Sequence, residues 1–121
     1  MHISKTTWLS HNQNEAVISI QGRIHSIDCY VYGFESDLKD LNACILDAID
    51  TKDVVLAEEE NEAILMDGLS CMIVGILSNN RSAVKVDDFL ININSNVVPK
   101  DICDGQKVCF RALRINLWIQ S

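Results

Sequence analysis

Residues 16–34, AVISIQGRIHSIDCYVYGF, restrict the fold more than any other stretch, because their apolar alternation reverses phase partway along. Ile18, Ile20 and Ile24 fall on even positions and Ile27, Cys29 and Val31 on odd ones, whereas side chains along a strand alternate strictly between two faces. Such a reversal requires a bulge, a sharp bend or a turn close to His25 and Ser26. We read the stretch as one long bent strand. The same reversal recurs in 83–93, where Val84 and Val86 share one phase and Phe89, Ile91 and Ile93 the other, with Asp87 and Asp88 at the switch. It recurs again in 107–119, where Val108, Phe110 and Ala112 give way to Leu113, Ile115, Leu117 and Ile119. Flat sheets need no such reversals, whereas strands that bend to serve two orthogonal layers, or to close a small barrel, do.

Between these stretches the period changes. In ESDLKDLNACILDAID, Leu38, Leu41, Ile45, Ala48 and Ile49 form a stripe at helical spacing, which predicts an amphipathic helix over 37–50 with Ser36 as N-cap and Asp37 in the first turn. Residues 53–57 and 62–66 read as two short strands rather than a helix over 57–66, because Val54, Val55 and Leu56 favour strands and Asp67-Gly68 is a hairpin signal. Residues 69–77 read as a buried strand, 78–81 as a turn, and 94–106 as a connection punctuated by Pro99 and Asp104-Gly105. Residues 1–14 form either a loose arm or a short edge strand.

The expected fold is therefore mainly β with one helix (α+β). It is a five- to seven-stranded, mostly antiparallel, strongly curved sheet or small partly open barrel, with helix 37–50 over an end or a face. A flatter α+β sandwich is the alternative. At 121 residues the chain fits one domain, 1–121, large enough to bury a core without disulfides.

Composition narrows the function. Hydrophobic residues at 48% and charged residues at 22% are ordinary globular usage and speak against disorder. The longest apolar run, 69–77, is far short of the roughly 20 residues that span a bilayer, and the amino terminus lacks an apolar signal region, so a cytoplasmic location without membrane association is expected. Cys29, Cys44, Cys71, Cys103 and Cys109 contain no CxxC pair, which favours core thiols over a zinc site or a disulfide framework. His2, His11 and His25 have no neighbour at ligand spacing, and the chain holds no GxSxG, no Gly-rich phosphate loop and no HExxH. Catalysis, a bound metal and a cofactor are not expected; His25, at the first reversal, is the histidine to inspect.

The charge is −7 overall, but it is concentrated: residues 35–67 hold eleven acidic and two basic residues, and the remainder eight basic and six acidic. A segment of this kind attracts a basic partner and accelerates encounter. The expected function is a small acidic protein-binding module that inhibits a basic partner by occlusion, most concretely an immunity protein or antitoxin neutralising a nuclease-type toxin. Asp40, Asp47, Glu58, Glu59, Glu60, Glu62 and Asp67 are the candidate partner-binding carboxylates, with Tyr30 and Tyr32 as candidate anchors. A secretion chaperone or adaptor is one alternative. The other is an OB-like barrel binding single-stranded nucleic acid through Lys107, Arg111, Arg114, Asn116 and Trp118 on the outward side of the last strand. The net negative charge opposes that last reading, because phosphate affinity comes chiefly from Lys and Arg.

Overall fold

The computed structural model describes residues 1–34, 41, 44–58 and 60–119. It contains eleven strands: β1 His2–Ser10, β2 Glu15–Gln21, β3 Ser26–Val31, β4 Cys44–Ile49, β5 Lys52–Leu56, β6 Ala63–Asp67, β7 Ser70–Ser78, β8 Ala83–Val86, β9 Phe89–Asn92, β10 Lys107–Ala112 and β11 Arg114–Ile119. They form one sheet in the order β1-β2-β3-β11-β4-β9-β8-β7-β10-β5, with β6 attached to β7. The sheet is mixed rather than antiparallel, since β11 runs parallel to β3 and β4 parallel to β9. It is also open, because the path ends at β1 and β5 without returning.

The first reversal is a hairpin and not a bend. Ala16 stands opposite Val31, Ile18 opposite Cys29 and Ile20 opposite Ile27, so Ile20 and Ile27 face the same core. Residues facing each other across a loop of even length always have opposite parity, and the loop at 22–25 is even. The second reversal has the same origin: Val84 pairs with Ile91 and Val86 with Phe89 around the two-residue turn Asp87-Asp88. The third is a true bend. β10 lies between β7 and β5, and β11 between β3 and β4, so the chain passes from one half of the sheet to the other at Leu113. There the Leu113 amide donates to the Ile49 carbonyl at 2.9 Å.

The helix over 37–50 is not formed where the structure describes it. Residues 44–49 are strand β4, and 37–40, 42 and 43 lie outside the described residues. β4 sits between β11 and β9, buries Leu46 and Ala48 on the core side, and half-buries Ile45 and Ile49 on the other. A strand buried on one face and partly covered on the other carries apolar residues at both parities, and that pattern imitates a helical stripe. The two short strands do form, as β5 and β6, and His2–Ser10 is an edge strand.

Buried residues from both halves belong to one core cluster, including Ile18, Ile27, Ile73, Phe89, Phe110 and Ile115, so the sheet curls around its contents. Each such side chain contributes about 1.5–3 kcal/mol by leaving water. Curvature is helped at Gly75 of β7, where the partner edge passes from β6 to β8. A Cβ there would lie 2.6 Å from the Lys85 carbonyl oxygen, so only glycine admits this approach.

The two hairpin turns are fastened to each other through Asp87, whose side chain is 1% exposed. Its Oδ2 accepts from the amides of Ile24 at 2.8 Å and His25 at 2.7 Å, and His25 Nδ1 lies 3.5 Å away. The Asp87 amide in turn donates to Glu62 Oε2 at 2.9 Å, which ties in the start of β6. Desolvation pushes the Asp87 pKa up, but the amides of His25, Ile24 and Arg23 and the neighbouring imidazole outweigh it and hold the carboxyl below its usual range.

Candidate partner-binding surface

Alternation along the strands decides which residues face away from the core. β11 turns Ile115 and Leu117 inward and Arg114, Asn116 and Trp118 outward; β4 sends out Ile45, Asp47 and Ile49, β3 sends out Asp28 and Tyr30, and β9 sends out Leu90 and Asn92. Register then assembles them into rows. Tyr30 is level with Asn116, Asn116 with Asp47 and Asp47 with Asn92, giving a polar row across four strands. Beside it Trp118 is level with Ile45, next to Leu90, giving an apolar row. Opposed residues on one sheet face have Cβ atoms about 4.5–5.5 Å apart, so each row is a contiguous surface.

Local contacts hold the row in place. The Arg114 guanidinium lies over the Tyr30 ring at 4.6 Å from its centroid, a cation–π contact. The Tyr30 hydroxyl donates to Glu15 Oε2 at 2.5 Å, and this bond to a carboxylate raises the phenol's pKa, with desolvation and the Glu15 charge adding to it. The Ser19 hydroxyl donates to Asp28 Oδ1 at 2.6 Å. In the middle, Asn116 is only 5% exposed and its Oδ1 has no hydrogen-bond partner. A buried acceptor left unpaired costs about 1–3 kcal/mol, so the sheet carries this amide at a loss. Trp118 on β11 and Leu90 on β9 are 50% and 46% exposed and flank Ile45 of the intervening β4, so the apolar row is open to solvent at both ends. Asp28 and Asp47, with Asp88 at the margin, face Arg114 as the sole cation on β3, β11, β4 and β9. Where the apolar row ends, a hollow of about 380 Å³ opens beside Leu90, Asp88 and Asn92.

Those of the carboxylates singled out from sequence that are described do not converge. Asp47 lies in the polar row. Glu58 and Glu60 are exposed in the β5–β6 loop, and Asp67 is exposed at the far end of β6. Glu62 is half-buried and engaged with the Asp87 amide. Asp40 and Glu59 lie outside the described residues. Of the two candidate anchors, Tyr30 is in the row and Tyr32 follows β3. The outward basic stripe of the last strand is divided by the bend. Lys107 donates to the Glu60 carbonyl, Arg111 shares a hollow with Asp50, Lys52 and Asp53, and Arg114 covers Tyr30. Leu90 and Asn92 escaped notice in the sequence because nothing local marks them, and Asp88 was marked only by its place at the second reversal. Asn116, a polar residue in the run INLWI, carried the one visible signal.

Burial pushes the Cys71 thiol up to about 11 and that of Cys29 higher still, so both are held protonated and poorly nucleophilic. Among the described residues no group of three or more His, Cys, Asp or Glu side chains is placed to hold a metal ion, and no helix is long and apolar enough to cross a membrane. Comparison of the chain with protein-family models, with curated proteins and with solved structures finds no match.

Proposed function

We propose that the chain is a protein-binding module that docks the outer face of β3, β11, β4 and β9 against a basic partner. The observation that carries this reading is the grouping of Trp118, Tyr30 and Arg114 around Asp47 and the unpaired Asn116 on that face. Trp, Tyr and Arg are the residue types that dominate binding energy at interfaces, and the carboxylates around them set encounter rate and choice of partner. With a net charge of −7 behind the face, the partner is cationic. In its most concrete form the module is an immunity protein or antitoxin that blocks a nuclease-type toxin by covering its basic active-site surface.

The test is retrieval of the partner from the source cell, followed by binding kinetics with three variants. Trp118→Ala should weaken the complex by about 2 kcal/mol or more, mainly through faster dissociation. Asp47→Lys should slow association and flatten its salt dependence, while reversal of Glu58 and Glu60 together should change much less. A complex that tolerates both Trp118→Ala and Asp47→Lys but is lost on reversal of Glu58 and Glu60 would move the interface to the β5–β6 loop.

A further inference from the structure

We propose that the hollow at the end of this face is an anchor pocket, which seats one large apolar side chain from a basic amphipathic segment of the partner. This rests on the protein-binding reading above and assigns the pocket an occupant. The floor is formed by Ile20, Leu46 and Leu117, all members of the core cluster, so the core opens to the surface at this point. Leu90 forms part of the wall and is half-exposed for want of a cover. A volume of about 380 Å³ is at the small end of ligand sites, which run from about 300 to 1,000 Å³, and fits a side chain better than an extended cofactor.

The rim specifies the rest of the occupant. Among the described residues Asp88 and Asn92 line the hollow, and no Lys or Arg does. Among the described residues Asp88 takes part in no ion pair, and Asp47 is level with Asn92 on the adjoining strand. An apolar floor beside unneutralised carboxylates selects an apolar group with a cation next to it in the same segment, such as Leu, Phe or Met adjoining Lys or Arg. The nearby Trp118–Ile45–Leu90 row continues the apolar track, so a segment with its apolar groups on one side can lie along the row with its deepest residue in the hollow.

The experiment titrates the full chain, labelled at Ile and Leu methyl groups, with three capped peptides: alternating Lys and Leu, alternating Lys and Gln, and alternating Glu and Leu. The Lys–Leu peptide should bind with methyl shifts centred on Ile20, Leu46, Leu90 and Leu117. Leu90→Glu and Asp88→Lys should each weaken it at least tenfold; both positions are at the surface, and an unchanged spectrum elsewhere establishes that the variants are folded. The Lys–Gln and Glu–Leu peptides should bind at least tenfold more weakly. Equal binding of Lys–Gln would overturn the pocket while leaving the basic-partner reading intact, and equal binding of Glu–Leu would overturn that reading as well. Shifts at these methyls on concentrating the protein alone would assign the hollow to a second copy and refute the proposal.

Discussion

At the scale of single residues, Asp87 and Asn116 each bury an Oδ1 that has no hydrogen-bond partner, but only Asp87 recovers this elsewhere on its side chain. Its Oδ2 accepts from two backbone amides and lies 3.5 Å from the His25 imidazole. Its pKa is lowered in the fold, so its contribution is complete above the ordinary carboxylate range, near pH 4, and is lost as the pH falls through the folded value. Asp87→Asn should therefore cost about 1–3 kcal/mol at pH 6, and the gap in urea midpoint between the two proteins should close on acidification towards pH 2. A gap of the same size at both pH values would show that the carboxylate acts by shape alone. Asn116 is neutral, and its Oδ1 is unpaired with no bond of the kind that Asp87 makes through Oδ2. Replacing it with Leu should leave the urea midpoint unchanged or higher, while weakening the partner complex; a large loss of stability would mean that the amide is structurally satisfied after all. Asn116 could be suspected from its apolar neighbours in sequence. Asp87 could not, because its partners lie more than sixty positions away at Ile24 and His25.

At the scale of elements, alternation was readable and connectivity was not. The phase reversals in 16–34 and 83–93 are genuine, but an even loop and a bulge print the same parity change on a sequence. The loop at 22–25, GRIH, lacks the Asn-Gly or Asp-Gly pair that announces a hairpin. The same ambiguity hid β4: with Leu46 and Ala48 on one face and Ile45 and Ile49 half-buried on the other, its pattern matches a helix as well as a strand. The hairpin signal at Asp67-Gly68, by contrast, was legible, although Asp67 ends β6 opposite Ser70 and the two residues that join β6 to β7 are Gly68 and Leu69, with Gly68 at φ 63°. β7 depends on a single position, because its two partners on one edge meet at Gly75. Gly75→Ala would force β8 away from β7, and calorimetry should register a loss of about 1–3 kcal/mol relative to the parent. A neutral result would show that the sheet can flex there without strain.

At the scale of the whole molecule, the acidity of residues 35–67 was visible, but its placement was not. The fold sends Asp47 to the outer face of β4 and Glu58, Glu60 and Asp67 to other margins, and it spends Glu62 on an internal bond. Linear clustering of charge therefore says that a field exists and leaves its direction to topology. Topology also governs the order in which the molecule can be completed. The strand that comes last of the eleven lies between β3 and β4, and among the described residues it is the strand through which the three-stranded meander β1–β2–β3 is paired with the rest of the sheet, beside the bonds of Asp87 to the β2–β3 turn. During synthesis, everything before residue 114 must wait with the facing edges of β3 and β4 bare, and bare edges are where chains pair with the wrong neighbour. A chain stopped after residue 112 should aggregate, and adding a peptide of residues 113–121 as it refolds should restore a soluble species measurable by light scattering. If the shortened chain stays monomeric without the peptide, the bare edges protect themselves. If it does aggregate, any interruption of synthesis just before β11 would damage this protein out of proportion to the few residues of that strand, and quality control would meet it as an all-or-none failure.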